Sequence, residues 1–342
     1  MVDIVTFGEV LLRLKSPGYE RFLQTPVLEA AFGGAEANVA NSLSRFGMSV
    51  AHVTALPDND IAHAAIGELR RNGVDTSHIN YQGKRIGTYY LEAGASLRPG
   101  RVIYDRAHSS LSEARIDDFN WDKILKDAKW FHTTGITPAI SHSAADITLD
   151  AMKTAKKMGL TVSLDLNYRA NLWQYGKTAT EVMPELAKHA DIIIAGREDC
   201  QQCLGIDVDL KAEEDIAELD HFKALSNEMI SIFPSLKMLA ITLRQSIRAD
   251  YHRWSACLAE RDNFINSDIY DIHNIIDRVG GGDSFSAALI YGLYNKQSKQ
   301  EALDFATAAS ALKHSVPGDI NLVTEKEVRS LMKGTSGGRV QR

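Results

Sequence analysis

The sequence predicts an α/β protein whose central sheet is mostly parallel and covered by helices on both faces, with a small second sheet beside it. Three observations carry this prediction. Short β-rich runs alternate with helix-like segments along the chain; the runs read as strands buried on both faces; and two stretches, 9–32 and 84–107, break the alternation with strand-like character of their own.

The elements follow in order. Strands are expected at 2–7, 49–55, 130–134, 161–165, 191–195 and 238–243, and helices at 35–46, 61–72, 143–158, 179–189 and 299–314, with one more opening at Asp283. In such a sheet, ligands bind at the carboxyl ends of the strands. The stretches 9–32 and 84–107, with Thr88-Tyr89-Tyr90-Leu91 and Val102-Ile103-Tyr104, are expected to form a lid above that site. A lid made of sheet leaves one face bare, so a homo-oligomer paired through the lid is expected. Residues 1–332 then form one domain, and 333–342, rich in Gly, Ser and Arg, read as a disordered tail.

Composition narrows the function classes. The chain has 342 residues with 44% hydrophobic and 24% charged content, enough for a sizeable core. A net charge of -6 argues against a nucleic-acid partner. Met1 to Glu9 has no basic region and no apolar run approaches a membrane span, so a cytoplasmic location without a membrane partner is expected. Cys200, Cys203 and Cys257 are too few for a disulfide framework and read as incidental thiols.

The run Asp277-Arg278-Val279-Gly280-Gly281-Gly282-Asp283 leads into an apolar helix and reads as an anion cradle. Helix N-termini carry unpaired amides and partial positive charge, and glycines let an anion approach the backbone. A carboxylate beside a bound anion repels it, so Asp283 suggests a base that takes a proton from an attacking hydroxyl. The local pattern alone also fits an ordinary glycine turn with an Asp favouring the dipole. It is not a P-loop, since no Lys-Ser or Lys-Thr follows, and Gly8-Glu9-Val10 lacks the G-x-G-x-x-G turn of a dinucleotide site.

A second glycine pair, Phe32-Gly33-Gly34-Ala35-Glu36-Ala37-Asn38, precedes the first helix. Together with Asp277 to Asp283 it resembles the PfkB, or ribokinase-like, carbohydrate kinases, and the likeness spans residues 1 to 332. Within them, His132-Thr133-Thr134-Gly135-Ile136-Thr137-Pro138-Ala139, Ser163-Leu164-Asp165-Leu166-Asn167-Tyr168-Arg169 and Leu172-Trp173 look like segments of 2-keto-3-deoxygluconate kinases. The resemblance implies a ribokinase-like fold and ATP-dependent phosphorylation of a sugar acid at its terminal hydroxyl. It makes Asp283 the base and Gly280, Gly281 and Gly282 the anion hole. Gly33, Gly34, Asn38, Tyr90, Tyr104, Arg106, Ile136 and Arg169 become substrate contacts, with the arginines near the carboxylate. Magnesium is implied with ATP, held largely through water, and no protein ligand is named for it; a monovalent cation is left open.

Two departures stand on the nucleotide side. The family's N-x-x-E is replaced by Gly196-Arg197-Glu198-Asp199, in which either Glu198 or Asp199 stands for the Glu. The glycine-containing nucleotide loop is replaced by 242–250, where Thr242 and Arg244 are the candidate phosphate contacts. A kinase for another sugar such as fructose or ribose, or a sugar-acid-binding protein with weakened catalysis, remains open.

Overall fold

A computed structural model describes residues 2–207 and 218–334; the expected tail falls almost wholly outside them. The chain runs β1 (Ile4–Phe7), β2 (Leu11–Lys15), β3 (Glu29–Gly33), α1 (Ala35–Arg45), β4 (Val50–Leu56), α2 (Asp60–Arg71), β5 (Ile79–Tyr81), β6 (Gly87–Glu92), β7 (Arg101–Asp105), α3 (Trp121–Ile124), β8 (Trp130–Thr134), α4 (His142–Lys157) and β9 (Thr161–Asp165). It continues through α5 (Ala179–Ala187), β10 (Ile192–Gly196), α6 (Asp199–Leu204), α7 (Glu218–Ile232), β11 (Met238–Arg248), β12 (Tyr251–Glu260), β13 (Asn263–Asn266), β14 (Tyr270–His273), α8 (Gly281–Tyr294), α9 (Lys299–Lys313) and α10 (Glu325–Met332).

The large sheet has the order β13-β12-β11-β10-β9-β8-β1-β4-β5, with β14 beside β12. It is parallel from β11 to β5 and antiparallel from β11 outward to β13. Its strands alternate between two cores, because successive side chains point to opposite faces. Val5 and Phe7 join one core while Ile4 joins the other, and Ile193 and Ile192 divide in the same way. Helices α4, α5 and α7 pack on the first face, and α1, α2, α8 and α9 on the second.

A separate four-stranded sheet, β3-β2-β6-β7, lies within the stretches expected to form it, except that β3 ends at Gly33. The segment after Thr242 differs from expectation. It is no loop: β11 runs on to Arg248 and pairs with β12 as a long hairpin, because Ile241, Leu243 and the facing Cys257 extend the apolar pattern of the strand. Among the described residues, no helix is long and apolar enough to cross a membrane. The three thiols are buried and unbonded to one another, and burial pushes Cys200 up to about 12, far from a reactive thiolate.

Candidate active site

A cavity of about 610 Å³ opens where the carboxyl ends of β9, β10 and β11 meet the N-terminus of α8, with the four-stranded sheet above it. Asp283 lies in the first turn of α8, buried at the floor. Asn38, on the first turn of α1, donates Nδ2 to Asp283 Oδ2 at 2.7 Å. Burial raises the Asp283 carboxyl to about 6, with the Asn38 hydrogen bond opposing the shift and Asp319 adding to it. At neutral pH it is therefore ionised yet more basic than an ordinary carboxylate, which suits a proton acceptor.

The turn before α8 fixes that position. Gly280 has φ of 79° and a Cβ there would lie 2.0 Å from the Asp319 carbonyl oxygen, so only glycine fits. Gly280 and Gly282 line the cavity, as expected of an anion hole. Gly281 does not. Its amide turns back to the Arg278 carbonyl at 3.3 Å, its carbonyl accepts from Ser310 Oγ at 2.7 Å, and its backbone backs onto His314. The first-turn amides left without an intrahelical acceptor at this end are those of Gly282 and Asp283.

On the side of the small sheet, Gly34 caps α1 with φ of 144° and its chain passes so close to Glu9 that a Cβ would lie 2.0 Å from the Glu9 carbonyl oxygen. Gly33 stands behind the cavity lining and makes room for the Asp319 carboxylate, which lines the cavity and which a Cβ would approach to 2.1 Å. Arg106 and Tyr104 line the cavity, with the guanidinium 5.6 Å from the Tyr104 ring centroid. The charge of Arg106 is already met: it is buried and paired with Glu9, Nε to Oε2 at 2.7 Å. Tyr90 is a correction. In β6 the register sets Tyr89 and Leu91 on the cavity face and Tyr90 on the outer face, so Tyr89 is the tyrosine of this strand that lines the site. Ile136 lines the wall, but its amide is donated to Thr134 Oγ1 at 3.2 Å and its carbonyl accepts from Ala139 at 3.1 Å.

Among the described residues, two buried acceptors at this end have no hydrogen-bond partner: Glu9 Oε1 and Asn38 Oδ1. Such atoms are costly to leave unmet, and hydroxyl donors of a bound polyol answer them. Glu36, also lining the site, accepts from the Thr134 amide at 3.0 Å and from the Thr134 and Thr137 hydroxyls at 2.8 Å each. Burial lifts its carboxyl to about 7 against those hydrogen bonds.

The opposite end is charged and open. Arg169, Arg244 and Arg278 are exposed residues of the cavity wall, and among the described residues none of them forms an ion pair. The guanidinium of Arg244 is held below its ordinary value by desolvation within the cleft and by repulsion from Arg278 and Arg169. Thr242 also lines this end, its hydroxyl donated to the Ala195 carbonyl at 3.3 Å. After β10, Asp199 accepts the Gly196 amide at 2.6 Å and faces the arginines, and the exposed Glu198 lines the cavity beside it. Asp165, at the end of β9, lines the cavity and accepts from Ser286 Oγ at 3.2 Å. Its carboxyl is held well above the usual range by burial and then by Asp199 and Asp283.

Sequence reasoning passed over Glu9, Glu36, Tyr89, Arg278 and Asp319 as lining residues. Arg278 stood inside the glycine motif, and the period of two in β6 separates Tyr89 from Tyr90 only once the face is known. Nothing local marks Asp319 or Glu9, whose partners are far away in the chain.

Comparison with known proteins completes the description. The family model described as pfkB family carbohydrate kinase matches residues 1–232 and 255–326. The chain is 32% identical over 98% of its length to 2-dehydro-3-deoxygalactonokinase of Haloferax volcanii, of which 98% is covered. It is 30% identical over 96% of its length to probable fructokinase-3 of Arabidopsis thaliana, 91% covered. The solved structure of 2-dehydro-3-deoxygluconokinase from Thermotoga maritima superposes with a TM-score of 0.91 at 44% identity, over 98% of this chain and all of that one (100%).

Proposed function

The chain belongs to the pfkB family of carbohydrate kinases and is a sugar kinase, and from that premise we propose that it phosphorylates the terminal hydroxyl of a 2-keto-3-deoxy sugar acid, with 2-keto-3-deoxygluconate the leading candidate and ATP the donor. The observation that carries the reading is the pairing of two distinct ends in one cavity: buried polar groups with unmet acceptors beside Asp283, and an exposed guanidinium at Arg169 within the same space. The unmet acceptors suit sugar hydroxyls, and Arg169 suits the carboxylate.

In this mechanism the terminal hydroxyl lies against Asp283 Oδ. Asp283 accepts its proton as the hydroxyl oxygen bonds to the γ-phosphorus and the bond from that phosphorus to the bridging oxygen of ADP breaks. Asn38 holds the carboxylate in place, and the amides of Gly282 and Asp283 meet the charge on the transferred group. Arg244 and Arg278 meet the nucleotide phosphates. A magnesium ion travelling with the nucleotide supplies further neutralisation of phosphate charge. Among the described residues no cluster of three His, Cys, Asp or Glu is close enough to chelate it. Asp165 and Asp199, whose carboxyls repel one another, fit a cation held beyond a water layer.

The second reading, a kinase for a neutral sugar such as fructose, is favoured by one observation. Arg106, the arginine nearest the sugar end of the sheet, is already neutralised by Glu9. A coupled ADP-release assay across both 2-keto-3-deoxy sugar acids, gluconate, fructose and ribose decides between them. Preference for either keto-deoxy acid supports the proposal, and preference for fructose or ribose overturns it. We also propose pairing of two copies through the outer face of the small sheet, where Ile103 is 48% exposed beside Leu14 and Tyr90; light scattering that finds only monomer contradicts this.

A further inference from the structure

Beneath the glycine turn lies a charge that the mechanism above does not use. Lys313, near the end of α9, is fully buried, at 0% exposure. Its ammonium donates to the Val316 carbonyl at 3.0 Å and to the Asp277 carbonyl at 3.4 Å. Asp277 opens the glycine turn, so the lysine bridges the end of α9 to the start of the cradle. The stem supports the same place: Cε would lie 3.3 Å from a Cβ at Gly280.

Ser310, three residues before Lys313, and His314, which caps α9, do related work. Residues three and four apart on a helix share a face. Ser310 donates to the Gly281 carbonyl at 2.7 Å, and the His314 carbonyl accepts the amides of Ile276 at 2.9 Å and Asp277 at 3.3 Å. Ser310, Lys313 and His314 thus hold the cradle from behind at three successive points. Ser310 and His314 make neutral hydrogen bonds there, whereas Lys313 brings a positive charge. Around it stand Asp277 and Asp319, both paired with Arg13 from the small sheet, and Asp283 on the far side of the turn. Asp319 also accepts from Tyr89, and Asp277 accepts the amides of Val279 and Gly318, each at 3.1 Å.

We propose that Lys313 is a positioning residue of the phosphoryl-transfer site: a built-in cation that ties the Asp277 carbonyl, at the start of the glycine turn, to the Val316 carbonyl after α9 and makes an added monovalent cation unnecessary. A buried ammonium and a desolvated alkali ion offer carbonyl oxygens the same thing, a compact positive charge. Here the cation is attached covalently to α9, so it is present whenever the chain is folded. The proposal rests on sugar kinase activity as such, not on which sugar is taken.

The same charge bears on the base. Lys313 lies close enough to Asp283 to favour its ionised form, while burial, opposed by Asp277 and Asp319, pulls the ammonium itself below its ordinary value.

The experiment measures ADP release with the best sugar found in the panel, in buffers whose only monovalent cation is potassium, sodium or tetramethylammonium. Wild-type turnover is expected to agree within about two-fold across the three. Lys313→Ala is expected to lose at least about ten-fold in kcat with KM for sugar nearly unchanged, and to recover part of that loss on addition of ammonium or potassium. Its acid limb of activity is expected to move to higher pH. A several-fold activation of wild type by potassium overturns the proposal, and so does a variant that keeps wild-type turnover or one that no small cation restores. Should the variant not fold, the wild-type cation comparison still decides.

Discussion

The two ends of the cavity solve the problem of burying charge in opposite ways. At the small-sheet end each arginine is matched in the protein: Arg106 to Glu9, Arg13 to Asp277 and Asp319. At the far end Arg169, Arg244 and Arg278 face one another across open space, with Asp199 and Asp165 nearby and Asp283 within reach of Arg169. A matched arginine is scaffold, since its charge is spent and its remaining donors are fixed in direction. A set of like charges held close together is an unfavourable arrangement that an anion relieves. The residue type is the same at both ends, and the partner decides the role.

The largest effect tests the group that lies between them. Asp283→Asn keeps the shape and removes the base, so kcat should fall about 10²–10⁴-fold while sugar affinity, read by calorimetry, stays near wild type. Equal turnover would remove Asp283 from the mechanism. Next comes the matched end. Glu9→Gln leaves the Arg106 charge buried without its counter-ion and should cost about 3–5 kcal/mol in denaturant unfolding. A loss under about 1 kcal/mol, the range of exposed pairs, would mean that Arg106 is solvated in solution and the contrast between the ends is false. At the open end Arg278→Ala should cost nothing comparable in stability. Its expected effect is a rise of about ten-fold in KM for ATP, with sugar KM unchanged. A rise confined to sugar KM would exchange the two ends.

The smallest effect concerns pH. Burial raises Asp283 to about 6, so activity should be level above that value and decline as pH falls through it, when the base takes up a proton. The sign for stability is the reverse. A carboxyl raised from 3.8 in the folded state stabilises the fold while protonated, and that contribution is lost as pH rises toward about 6. Because the Asn38 hydrogen bond holds the value down, Asn38→Ala should move the acid limb of kcat/KM upward. An unmoved limb would detach Asn38 from the base.

Much of this was legible in the sequence, for identifiable reasons. Strands such as β8 and β9 were read to the residue because each is a short run rich in β-branched and aromatic residues, Trp-Phe-His-Thr-Thr and Thr-Val-Ser-Leu-Asp, standing between helix-like segments. The glycine turn announced Asp283 since a helix N-terminus is a local feature. What escaped was long-range or depended on facing. Glu9 and Arg106 are 97 residues apart and nothing in either segment names the other. Tyr89 and Tyr90 are chemically alike, so only the pairing of β6 with β2 tells which looks inward. The strand expected at 238–243 stops short of the end of β11, which continues through Arg248 in a hairpin with β12 where the family pattern expects a glycine-containing loop.

Arg13 belongs to β2 of the small sheet, yet both its partners, Asp277 and Asp319, belong to the segments that frame the glycine turn. Roof and floor are thereby riveted through one guanidinium buried away from solvent. Opening the roof alone would strand the Arg13 guanidinium away from both of its carboxylates, so the two should loosen together. In hydrogen–deuterium exchange, the amides of β2 and of the turn before α8 should therefore gain and lose protection as a single cooperative unit.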